Sequence, residues 1–182
     1  MNNLFRSGIA LILSVLLVSG CGWHLRGHND ALQNVQSVHI SGRNLQSPLI
    51  QTLKRDLKSI DVVLSTDAAS AQYSIIILDE RSSRRTATVS ASARVAEYQL
   101  TEEVDLLILG ADGIQQMPRT TLTLERVFEF DEDNVLAKDD EMELLRHEMR
   151  ANLSRQIIDR LRLISSRPAN AKPAVTEDAP ES

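Results

Sequence analysis

The chain has 182 residues, with 20 Lys and Arg against 25 Asp and Glu, for a formal net charge of −5. Nucleic-acid binding would show as a basic patch or stripe on a high-pI domain, and this balance offers none. Aromatics make up only 3% of the residues, too few for stacking platforms for bases or sugars, and one cysteine allows no internal disulfide, so packing alone must hold the fold.

The chain opens on a basic n-region with Arg6 and an apolar h-region from Ile9 to Val18. The run from Gly8 to Gly20 is shorter than the ~20 apolar residues needed to cross a bilayer, so residues 1–20 read as a cleaved signal peptide. Val18-Ser19-Gly20-Cys21 resembles the bacterial lipobox, in which the cysteine becomes the lipid-modified first residue of the mature protein. Acylation at Cys21 accounts for a lone thiol in an exported chain; the alternative is an ordinary signal peptide with a stray cysteine at its end. Several acyl chains, as on bacterial lipoproteins, would give firm membrane anchoring where one is marginal. Gly22, where an aspartate would favour inner-membrane retention, resembles an outer-membrane signal.

Residues 21–34 form a lipidated tether with little periodicity. Val35 to Ser41 alternates Val38 and Ile40 against Ser37 and His39, predicting a strand. Ser47-Pro48 then supplies a capping oxygen and a proline at the first helical position. Leu49, Leu53, Leu57 and Ile60 follow at helical spacing. Tyr73 to Leu78 is a β-branched run of the kind covered on both faces. Arg81 to Val95 mixes arginine with alternating Ser/Thr and Ala/Val, and is either an edge strand or a long mobile hairpin loop. Ala96 to Leu109 is a long strand with Tyr98, Leu100, Val104, Leu106 and Ile108 on one face. Gly110 to Gly113 turns the chain, and Thr120 to Phe130 returns with Leu122, Leu124, Phe128 and Phe130 inward. Asp139-Asp140-Glu141 opens a long helix with acids at its positive end. Met142, Leu145, Met149, Leu153, Ile157, Leu161 and Ile164 form its apolar stripe, and Pro168 stops it. Residues 167–182 are a disordered tail by composition.

The fold class is therefore α+β: a two-layer sandwich with an about four-stranded, mostly antiparallel sheet and two helices packed on one face, in a single domain over residues 35–166. Its other sheet face is open, polar and acidic, which suits water or the wet lumen of a barrel rather than lipid tails.

No constellation points to an enzyme. The four histidines, His24, His28, His39 and His147, show no metal-ligand spacing, and there is no phosphate loop or nucleophile elbow. No cofactor is implied. Glu102 and Arg126 each break an apolar alternation; they pair across the hairpin, with pairing centred near Ile114, or both meet water at a sheet edge. Arg81, Arg84, Arg85 and Arg94 could grip phosphates or merely solubilise their segment. Lys138 could hold an anion or balance local charge.

Gly22-Trp23-His24-Leu25-Arg26-Gly27 after the lipobox resembles the mature start of the lipopolysaccharide-assembly lipoproteins of Gram-negative bacteria (LptE). Ala96-Glu97-Tyr98-Gln99-Leu100 and Val135-Leu136-Ala137-Lys138-Asp139-Asp140-Glu141 are similar to two further segments of that family. The resemblance implies an outer-membrane lipoprotein on the periplasmic side. It would plug and help assemble a large β-barrel partner (LptD-like) and assist lipopolysaccharide insertion into the outer leaflet. It also implies direct lipopolysaccharide contact through basic residues, carried over here to Lys138 by its motif. Arg84, Arg85 and Arg94 are added to that contact on charge alone. The competing class is an anchored periplasmic lipid- or polymer-binding lipoprotein without a barrel, which would need a deep apolar cavity where a plug needs a solid core.

Overall fold

A computed structural model describes residue 32 and residues 34–167. The signal peptide, the acylation site, nearly all of the tether and the tail beyond Arg167 lie outside the described residues. Strand β1 (Ser37–Gly42) buries Val38 and Ile40. The start of α1 (Pro48–Ser59) is the one the sequence specifies: Ser47 Oγ accepts from the Ile50 N–H at 3.2 Å, with Pro48 in the first turn. Asp61, at φ +62°, turns the chain out of the helix into β2 (Val63–Ser65). A capped turn at Asp67–Ser70 leads to β3 (Tyr73–Val89), β4 (Val95–Gly110), β5 (Gln115–Glu129) and finally α2 (Val135–Ser165).

The sheet has five strands, not about four, in the order β2-β1-β3-β4-β5. The long strands β3, β4 and β5 are antiparallel, as expected, but β1 runs parallel to both β2 and β3. The parallel pairing follows from connectivity: α1 carries the chain across one sheet face and returns it in the same direction.

β1 ends opposite Ile77, whereas β4 pairs with β3 from Gly110 to Val95. Residues Arg81–Val89 are thus an edge strand, and the only loop in that segment is the short turn at residues 90–94, closed by Ser90 N–H to Arg94 O at 2.7 Å. The β4–β5 hairpin turns at Gly110–Gly113, where Gly113 holds φ +74°, a conformation that favours glycine.

Both helices pack on one sheet face. Ile50, Leu53, Leu57, Ile75, Leu106, Ile108, Ile157 and Leu161 are fully buried between the layers. Leu32, from the segment read as tether, and Val35 close this core at the end where β1 begins. A second, smaller cluster of Leu100, Phe128 and Met149, with Tyr98, Met142 and Leu145 against it, lies further along the ribbon under the first half of α2.

Helix α2 starts four residues before the acids predicted to open it. Its entry is a 3₁₀ turn at Glu132–Asn134, capped by Asp131, whose carboxylate accepts from the Asp133 N–H and the Asn134 amide. The negative charge facing the helix start comes from that preceding turn, and Asp139 and Asp140 lie inside the helix.

Candidate functional site

Strand alternation sorts the charged residues of the ribbon onto two faces. On the open face, Arg81 stands opposite Glu103, and Asp105 stands between Asp79 and Thr121. Arg81 donates to Asp79 at 2.7 Å, to Glu103 at 2.7 Å and to Asp105 at 3.4 Å. Asp105 also accepts from Thr121 Oγ1 at 2.6 Å and from Arg119 at 2.8 Å. The Thr121 hydroxyl, then Arg119 and Arg81, hold the Asp105 carboxyl well below the usual carboxylate range. Glu103 and then Asp105 push the Arg81 guanidinium above its ordinary value. The open face therefore gathers Arg81 and Arg119 around the buried Asp105 carboxylate and is acidic as expected, since Asp79, Glu97, Glu103, Asp105, Glu125 and Glu129 outnumber Arg81, Arg85 and Arg119 on it.

The arginines that cluster in sequence do not cluster in space. Arg84 points to the helix side, stacks 4.6 Å over the Tyr98 ring and reaches Met142 Sδ at 3.6 Å. Arg85 points to the open face and donates twice to Gln99 Oε1, at 3.1 and 2.7 Å. Arg94 sits at the ribbon tip, 3.2 Å from Glu132. Lys138, near the start of α2, pairs with Glu141 at 2.9 Å, and Glu141, with Glu129 and Asp131 nearby, raises its pKa. Cys21 lies outside the described residues.

Glu102 and Arg126 do not pair. The β4–β5 register is centred at Gly113, one residue short of the centre such a pair requires, so Leu124 faces Glu102 and Leu100 faces Arg126. Glu102, 7% exposed, instead accepts from Ser82 Oγ at 2.6 Å and meets Arg150 at 3.4 Å and Arg146 at 3.8 Å. Its charged partners come from α2, which strand periodicity alone does not reveal. Nearby Glu80 accepts from Ser47 Oγ at 2.7 Å, and burial raises its carboxyl pKa against that bond and the Arg150 charge.

Among the described residues, two of the grooves on the surface are largely polar. One, of about 590 Å³, lies at the ribbon tip among Arg94, Glu97, Glu129 and Asp131–Asp133. The other, of about 250 Å³, lies between β5 and α2. Among the described residues no group of His, Cys, Asp and Glu is arranged to hold a metal ion, and no helix is long and apolar enough to cross a membrane.

The fold is a two-layer α+β domain with an apolar core between sheet and helices and an open, charged sheet face. The chain belongs to the lipopolysaccharide-assembly family LptE, whose family model matches residues 32–161. It is an assembly family rather than an enzyme family. The LPS-assembly lipoprotein LptE of Pectobacterium atrosepticum is 29% identical over 160 residues, covering 86% of this chain and 85% of that protein. The protein of the same name from Photorhabdus laumondii subsp. laumondii is 28% identical over 153 residues, covering 84% of this chain and 83% of that protein. The solution structure of an uncharacterized lipoprotein B from Nitrosomonas europaea shares the fold, with a TM-score of 0.68 at 24% identity over 80% of this chain and 93% of that one.

Proposed function

We propose that this protein is an outer-membrane lipoprotein, anchored through acylated Cys21 on the periplasmic side. There it would plug and support the assembly of a β-barrel translocon of LptD type and assist lipopolysaccharide insertion into the outer leaflet. The observation that carries this reading is the solid interior. Ile50, Leu53, Leu57, Ile75, Leu106, Ile108, Leu153, Ile157 and Leu161 fill the space between sheet and helices, where a lipid carrier would need an apolar cavity to hold acyl chains. The ion-paired open face supports the same reading, since it matches the wet, polar interior of a barrel.

Lipopolysaccharide contact is assigned to Lys138 with Arg84, Arg85 and Arg94. Among the described residues Arg84 and Arg85 have no carboxylate within ion-pair distance, whereas a phosphate at Lys138 or Arg94 must compete with Glu141 or Glu132.

The deciding experiment is purification of C-terminally tagged protein from outer membranes in mild detergent. A heat-modifiable β-barrel recovered in equal amount supports the plug. A protein that purifies alone overturns it in favour of a lipid- or polymer-binding lipoprotein.

A further inference from the structure

The arginines singled out for anion contact all have partners within the domain, but two that sequence reading did not assign to it have none. The side chains of Arg126 on β5 and Arg155 on α2 make no hydrogen bond or ion pair among the described residues, and both line the groove of about 250 Å³ between the sheet edge and the helix. The helix builds its side of that groove by spacing. His147, Ala151 and Arg155 recur every four residues along one face, with Asn152 beside them. Asn152 Oδ1 is taken by Gln156 at 3.0 Å, which leaves its NH₂ as a donor. Glu148 is the one acid in the lining, so the charged residues sum to a positive site on a chain of net charge −5. Leu124 and the buried Met149 supply apolar lining that sharpens the field of the two guanidinium groups.

We propose that this groove, which brings Arg126, Arg155, His147 and the Asn152 amide together, is a binding site for a phosphomonoester. Guanidinium forks approaching from a strand and a helix match the several oxygens of a phosphate better than the two of a carboxylate. The volume admits a phosphate on one sugar and excludes a set of acyl chains. The site is separate from Lys138, Arg84, Arg85 and Arg94 and does not depend on the barrel. Two sources share this chemistry, free phosphate and the phosphorylated headgroup of a glycolipid.

The test uses the full chain in detergent, titrated calorimetrically at low salt with inorganic phosphate, with lipopolysaccharide and with dephosphorylated lipopolysaccharide. The variants are R126Q/R155Q and, as a charge-matched control, R43Q/R167Q, whose residues are exposed and outside the groove. Binding weakened about tenfold or more in R126Q/R155Q and unchanged in the control supports the site. Such binding by inorganic phosphate shows that the anion alone suffices; by lipopolysaccharide but not its dephosphorylated form, it identifies the headgroup. Equal losses in both variants, or no variant-sensitive binding of either phosphorylated probe, overturn the proposal. Urea unfolding of each variant verifies that the fold is intact.

Discussion

Glu102 Oε1 lies 3.4 Å from the Arg150 guanidinium and ties β4 to α2 between the two apolar clusters. Leu100 and Val104 flank Glu102 on the same strand face, one in each cluster, so the carboxylate interrupts what would otherwise be a continuous core. Its partner is a side chain only 20% exposed. Removing one member alone strands the other in poor solvent, whereas removing both relieves that cost and leaves Arg146, 3.8 Å from the same carboxylate, as a charge between the clusters.

Glu102→Leu should therefore cost about 1–3 kcal/mol, because Ser82 and Arg150 lose their acceptor. Adding Arg150→Leu should recover a substantial part of that loss. Urea midpoints of the two single variants and the double close the cycle. Strictly additive losses would show that the pair is uncoupled.

Two carboxylates should give opposite pH signatures. Asp105 is held below its ordinary pKa, led by the Thr121 bond. It therefore adds stability at neutral pH, and that contribution drains away as the pH falls below about 4, where an unfolded aspartate takes up a proton. Asp105→Asn should be markedly less stable than wild type at about pH 7, with the gap narrowing toward about pH 3. Glu80 is raised, chiefly by burial, so its ionised form is a liability that grows as the pH rises through its folded-state pKa. Glu80→Gln keeps an acceptor for Ser47 Oγ and should match or exceed wild type at neutral pH, the advantage vanishing in acid. Denaturation at several pH values separates the two. An advantage for Glu80→Gln that grew in acid would reverse the assignment.

The proposed plug role would need rigidity, and the interior supplies it. Leu153 is 1% exposed and Leu144, on the same helix, 60%. Leu153→Ala should cost about 2–5 kcal/mol through lost burial and a residual cavity, and Leu144→Ala less than about 0.5 kcal/mol. Both are read from urea midpoints with unchanged slope. A small loss at Leu153 would mean that the site collapses, contrary to a well-filled core.

Where the sequence was legible, the signal was local. Ser47-Pro48 specified the start of α1, and the stripe from Met149 to Ile164 specified the buried face of α2, because caps and helical periodicity act within a few residues. β2 left no trace: three residues paired on one side cannot establish an alternation. The hairpin turn was readable from Gly110 to Gly113, but a shift of one residue in the centre of pairing separated Glu102 from Arg126. Arg84 and Arg85 illustrate the same limit, since neighbours on a strand face opposite ways and a cluster in sequence becomes two surfaces. The unpartnered arginines of the β5–α2 groove are 29 residues apart in the chain, and only the packing of helix against sheet edge brings them together.

Lys138 poses a competition that mutation can resolve by sign. Its ammonium is 2.9 Å from Glu141, one turn along α2, with Glu129 and Asp131 nearby. An anionic ligand must draw Lys138 away from that carboxylate, so in wild type Glu141 acts as an internal competitor. If Lys138 contacts lipopolysaccharide phosphates, Glu141→Gln should tighten binding and Lys138→Gln should weaken it. Each change should be roughly two- to fivefold, the scale of an exposed ion pair, and each should shrink as salt rises. Titration of lipopolysaccharide into the detergent-solubilised full chain reads both. Unchanged affinity in both variants would reduce Lys138 to a local charge balance at the start of its helix and remove it from the lipopolysaccharide site.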